Sequence, residues 1–193
     1  MRAGIPVTPE IVVKYFFGRR PADMFAAVEA ATGRCLPLNF ASKLSSATLE
    51  RFRAELQPMP HVAYALTWLR GPKCVASSST MERIKVSLET TDLARFFGGN
   101  LFSASEVPHG KPAPDLLLHA ASRMKVKPAD CVVIEDSPAG INAATSARMK
   151  SIGFVGGSHS GSALGEQLIA AGAHTIVADM RQLKAAVTAL RGW

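Results

Sequence analysis

Cysteine is scarce in this chain and follows no pattern. Three of the 193 residues are cysteine, at positions 35, 74 and 131. An odd number at wide spacing, with no CxxC pair, excludes a disulfide framework or a zinc ribbon. Cys74 and Cys131 fall inside short apolar runs and read as buried thiols in a reducing compartment, so a cytoplasmic location is expected. No apolar stretch approaches the roughly 18 residues that a membrane-spanning helix needs, and the N-terminus lacks the charged-then-apolar layout of a secretory signal. The five histidines form no HxH or HExxH arrangement, and "GFVGG" at 153–157 lacks the GxGxxG spacing of a dinucleotide site. The six aspartates stand at 23, 92, 115, 130, 136 and 179, and no two are two residues apart.

Negative charge is also in short supply. Twenty-two Lys and Arg residues against fifteen Asp and Glu leave a net charge of +7. The basic residues are scattered, with Arg19-Arg20 the one adjacent pair, and no basic stripe is interleaved with aromatics. That pattern fits an ordinary solvated surface; neither nucleic acid nor a membrane is expected as a partner. A hydrophobic content of 48% with 19% charged residues is that of a folded globular chain.

Up to about Trp68 the apolar spacing is helical. Thr8-Pro9-Glu10 reads as a cap followed by proline at the first helical position. Pro21 opens a second helix that Gly33 ends, a third spans about Asn39 to Leu56, and a fourth about His61 to Leu69. After Gly71-Pro72 the period changes. Short extended runs at 73–78, 100–105, 131–136, 150–155 and 174–179 alternate with helices at about Thr80 to Leu88, Pro112 to Met124, Pro138 to Ala147, Leu164 to Ala171 and Met180 to Leu190. The expectation is an α/β chain with a helical lobe at 1–69 and a parallel-sheet core at 70–193, helices covering both sheet faces. In such sheets ligands sit at the carboxyl ends of the strands.

Three features fall on that edge, each with two readings. Glu135-Asp136, the one adjacent acid pair, ends an apolar strand where two carboxylates need compensation, as a magnesium ion would give; alternatively Asp136 or Ser137 caps the helix at Pro138. Lys111, in "HGKPAPD", presents a single cation or is a surface lysine at a turn. Ser77, Ser78 and Ser79 bring hydroxyls and amides to a helix start, as an anion site or as simple capping.

Taken together, "VASSSTMERI", "GKPAPD" and "VIEDSPAGI" resemble the second, third and fourth motifs of the haloacid dehalogenase superfamily, in its beta-phosphoglucomutase and small-molecule phosphatase branch. "GRRPADMF" resembles part of that family's helical cap. The resemblance implies a Rossmann-like core in which a phosphoryl group passes through an aspartyl-phosphate. Ser77 would then bind phosphoryl oxygens, Ser78 would offer its backbone amide, and Lys111 would neutralise charge. Asp136 would hold Mg2+ directly and Glu135 mostly through water, while Arg19 would grip the distal part of a small phosphorylated metabolite. Phosphatase and phosphosugar mutase share this core. The family's first motif, Asp-x-Asp, is not present. The resemblance therefore implies an N-terminally truncated enzyme whose central first strand is missing, or a non-catalytic phosphate- or partner-binding remnant. Either would leave unpaired strand edges open to self-association and a chain of low stability.

Overall fold

The computed structural model describes residue 18, residues 20–158 and residues 160–191. The helix expected to start at Thr8, and Arg19, lie outside the described residues. Helix α1 (Pro21–Thr32) starts on a proline and ends at Gly33, whose φ of 64° accepts the left-handed turn at its C-terminus. Helices α2 (Phe40–Glu55) and α3 (Val62–Trp68) follow. The remainder alternates strand and helix: β1 (Val75–Ser77), α4 (Met81–Thr90), β2 (Leu101–Ser103), α5 (Asp115–Arg123), β3 (Val132–Glu135), α6 (Pro138–Ser146), β4 (Lys150–Phe154), α7 (Leu164–Ala170), β5 (Thr175–Val177) and α8 (Leu183–Arg191).

Two boundaries differ from expectation for local reasons. Helix α5 begins at Asp115, because residues 111–114 contain two prolines and turn before the chain can enter a helix. The last helix starts at Leu183, after a 3-10 turn at Met180–Gln182 that Asp179 caps through the Arg181 amide.

Among the described residues all pairings are parallel, and they form two sheets. β1 pairs with β2, Ala76 opposite Phe102; β3 pairs with β4, which pairs with β5. Among the described residues β1 and β3 are not bonded to each other. Side chains alternate across β3, as the two-residue strand period requires. Val133 packs with Leu117, Ala121, Ala143 and Met149 from the α5–α6 side. Val132 packs on the opposite side with Ala65, Leu183 and Ile152. Helices α5, α6 and α7 therefore cover one face, and α3 and α8 the other.

The helical lobe is tied to the core. Helix α2 lies on α4, where the Arg83 guanidinium sits 4.9 Å from the centre of the Phe52 ring. Burial there pushes the Arg83 guanidinium down from its ordinary pKa. Cys74 and Cys131, expected to be buried, are half-buried. Each immediately precedes a strand that borders an opening between the two sheets.

Candidate active site

The carboxyl ends of β1 and β3 lie at one edge of the molecule. Ser78, one residue past β1, donates its hydroxyl to the Gly18 carbonyl at 2.9 Å. Gly18 has a φ of +72°, and a Cβ there would stand 2.8 Å from the Ser137 hydroxyl, two residues past β3. The chain of the helical lobe thus crosses between the two strand tips, and only glycine fits the crossing.

After β1, Ser77 Oγ accepts from the Ser79 amide at 3.1 Å, and Thr80 caps α4 by accepting from the Arg83 amide. Ser77 therefore keeps its own hydroxyl proton for another acceptor. Ser78 has committed its hydroxyl to Gly18 and offers the site only its backbone amide. The turn is fastened from β2, where the fully buried Ser103 donates to the Ser79 carbonyl at 2.7 Å. Ser103 also starts a capping box with Glu106 over the 3-10 turn at Ala104–Glu106.

Lys111 reaches the same edge from the loop before α5. Its Nζ donates to Glu135 Oε2 at 2.5 Å, with side chains only 7% and 10% exposed. Glu135 Oε1 accepts from Ser137 Oγ at 2.8 Å, and Ser137 Oγ accepts from the Gly140 amide at 3.1 Å. Ser137 is thus the cap of α6. The capping alternative falls to the serine. Gly140 is a consequence of this packing, because a Cβ there would lie 2.0 Å from the Glu135 carboxyl carbon. The ion pair spans the opening between the half-sheets, since Lys111 comes from the β2–α5 loop and Glu135 from β3.

Sequence reasoning chose Arg19, outside the described residues, as the cationic side chain of the lobe. Its neighbour Arg20 is described: it holds Asp23 through Nε at 2.8 Å and donates to the Pro108 carbonyl at 3.1 Å. Gly110 gives way to it, since a Cβ there would be 2.8 Å from Arg20 Nε. Next to this loop His109 and Asp115 lie 3.0 Å apart, and that hydrogen bond holds the Asp115 carboxyl below the usual carboxylate range. The lobe therefore rests on the turn that presents Lys111. Arg20, Ser103, Gly18 and Gly140 had not been singled out. Only Gly140 carried a sequence signal, as a glycine inside a helix, where it costs about 1 kcal/mol relative to alanine unless packing requires it.

Among the described residues no group of three or more His, Cys, Asp and Glu side chains stands ready to hold a metal. Magnesium, however, takes one or two carboxylates and fills its octahedron with water and substrate phosphate oxygens. A strand-tip aspartate such as Asp136 fits that demand. Glu135, turned to Lys111 and Ser137, fits a supporting place behind it.

This geometry has counterparts. The family model of the haloacid dehalogenase-like hydrolases matches residues 13–148. The chain belongs to that family. The 6-phosphogluconate phosphatase of Escherichia coli K12 is 29% identical over 157 residues, a match covering 81% of this chain and 71% of that protein. The fructose-1-phosphate phosphatase of the same organism is 37% identical over 98 residues, covering 50% of this chain and 52% of that one. The chain thus spans about half the length of some curated relatives it matches. Among solved structures, a haloacid dehalogenase-like protein of Agrobacterium tumefaciens superposes with a TM-score of 0.81 at 31% identity, covering 97% of this chain and 85% of that one. A family hydrolase of Deinococcus radiodurans, solved with bound phosphate and sodium, gives 0.73 at 26% identity, with 97% and 83% covered.

Proposed function

We propose that the edge formed by Ser77, Lys111 and Asp136 is the phosphate-binding part of a magnesium-dependent phosphomonoesterase for a small phosphorylated metabolite such as a sugar phosphate. The observation that carries it is the Lys111–Glu135 pair at 2.5 Å across the opening. Two groups 24 residues apart in sequence are brought from separate half-sheets to one point, next to the hydroxyls after β1. The names of the relatives, phosphatases of phosphorylated sugars and sugar acids, agree with this substrate class.

Lys111 is held by Glu135 so that its ammonium stands at a fixed place, where it balances the charge of a transferring phosphoryl group. The Ser77 hydroxyl and the Ser78 amide donate to its oxygens. Asp136 holds magnesium, which when bound supplies positive charge to those same oxygens. A carboxylate oxygen attacks phosphorus while the bond from phosphorus to the ester oxygen breaks, and a second carboxyl group protonates the leaving alcohol. Water then attacks the acyl phosphate, gives its proton back to that second group, and inorganic phosphate leaves.

No aspartate pair two residues apart is present in these residues, so we assign the attacking carboxylate to a segment outside them. That absence also favours a second reading, a phosphate-binding protein without covalent chemistry. Release of phosphate from hexose phosphates, assayed with magnesium and with a chelator, separates the two. The chain alone is expected to release none, and joining it to a carboxylate-bearing strand is expected to give magnesium-dependent turnover. Turnover by the purified chain alone contradicts the assignment of the nucleophile. No turnover from the joined protein favours the binding role.

A further inference from the structure

The first described residues of the helical lobe touch the three parts of the core that carry the candidate chemistry. Gly18 lies against Ser78 after β1 and against Ser137 after β3. Arg20 reaches the third part, the loop that presents Lys111. Its backbone carbonyl accepts from the Met24 amide at 3.0 Å, which fixes it to the start of α1. Its side chain, 26% exposed, donates to Asp23 through Nε at 2.8 Å and Nη2 at 3.1 Å, and through Nη1 to the Pro108 carbonyl at 3.1 Å. One planar guanidinium is thereby committed to both lobe and core. A lysine ammonium has no such fork. The stem of the same side chain lies on Gly110, where a Cβ would stand 2.8 Å from Nε and 2.9 Å from Cδ. Gly110 opens the turn that contains Lys111, and its carbonyl accepts from the Ala113 amide at 3.0 Å. The other support comes from the core, where Asp115 takes the His109 amide at 3.3 Å and meets the ring Nδ1 at 3.0 Å. The Asp23 hydrogen bond raises the Arg20 guanidinium above its ordinary pKa against the opposing effect of burial, and the charges of Asp23 and Asp115 add to it. The two supports share one electrostatic network.

We propose that Arg20 is a positioning residue for Lys111: it clamps the turn at 108–110 against the start of α1, so that the seating of the helical lobe sets where the Lys111 ammonium meets a bound phosphate. Glu135 fixes only the tip of a flexible side chain, and the place of the Lys111 backbone depends on the turn. Arg20 is the tie of that turn to the lobe. A misplacement of about 1 Å can cost catalysis about a hundredfold, so a loosened turn weakens the site even when Lys111 keeps its charge. The phosphate clause rests on the proposed phosphatase reading; the clamp on the turn stands on its hydrogen bonds and on the packing of Gly110.

The test compares the labelled chain with three clamp variants. Arg20→Gln removes the charge and the fork, Arg20→Lys keeps the charge alone, and Gly110→Ala pushes the Arg20 side chain off the turn while leaving the arginine in place. Arg51→Gln, which breaks an exposed ion pair between Arg51 and Glu55 of α2, is the control. Lys111 side-chain resonances are recorded first without phosphate, and inorganic phosphate is then titrated in the presence of magnesium. All three clamp variants are expected to move the Lys111 signal before any phosphate is added, and to weaken phosphate binding about tenfold, the worth of one charge-assisted hydrogen bond. Arg51→Gln is expected to change neither. Should Arg20→Lys match the unaltered chain, charge alone suffices and the proposal is overturned. It is overturned too if the clamp variants lose only stability, with the Lys111 signal and the phosphate affinity unchanged. Where one variant fails to fold, the remaining two decide. Absence of any phosphate response in the unaltered chain counts against the phosphatase reading instead, and the phosphate-free Lys111 signals then decide the clamp by themselves.

Discussion

β4 and β3 are neighbours in one sheet and read alike in sequence, yet they live in different surroundings. β4 is paired on both sides, and Ser151 to Phe154 are buried, with Ile152 fully so. Among the described residues β3 is paired on one side, and Ile134 is 38% exposed at the centre of an apolar run. β1 repeats the contrast with β2: none of its three residues is buried, whereas Phe102 and Ser103 of β2 are. In both pairs the strand that borders the opening is the less buried of the two. The residues that flank the opening are the ones that carry the candidate chemistry at their tips.

Substitutions can break or sharpen this comparison. The largest effect is expected at Ile152→Ala in β4, a cost of about 4 kcal/mol read from denaturant midpoints, because a fully buried methyl-rich side chain is removed with little room to relax. Next comes Lys111→Met, expected to cost about 3 kcal/mol, since it leaves Glu135 charged and nearly buried without its partner. Pairing that change with Glu135→Gln should recover part of the loss, as a double-mutant cycle would show. Gly140→Ala is expected to cost about 2 kcal/mol, because its Cβ must push the Glu135 carboxylate off Lys111. The smallest effect belongs to Ile134→Ala, about 0.5 kcal/mol or less in this chain, since much of its surface is already in water. Equal costs at Ile134 and Ile152 would break the comparison with β4.

Much of the fold was legible in the order of the residues. Pro21 with Gly33 framed a helix, and the short apolar runs ending in hydroxyls or acids gave five strands within a residue or two of their observed ends. Thr80 announced the helix that follows it. The parting of the strands into two sheets was not a matter of local pattern, since "CVVIED" reads as a buried strand whether one neighbour is present or two. It was reached only through the likeness of three motifs to a family whose first motif is not found here. At the site, Ser77, Lys111 and the acid pair stood out because their chemistry is costly at a strand end. Ser103, Gly18 and Arg20 did not, because a buried serine that fastens a turn, or an arginine seated on a loop carbonyl, owes its place to partners far away in the chain. The rivalry of Asp136 and Ser137 for the α6 cap could not be settled from adjacent residues, and the Gly140 amide settles it for the serine.

The central claim is that Ser77, Ser78, Lys111 and Asp136 face one phosphate. It is tested most directly by titrating the labelled chain with inorganic phosphate in the presence of magnesium and following amide and lysine side-chain resonances. The account predicts that the Ser78 amide and the Lys111 side chain shift together with a single dissociation constant, and that Lys111→Met abolishes both responses. Shifts confined to other lysines, or a Ser78 response that survives Lys111→Met unchanged, would contradict it.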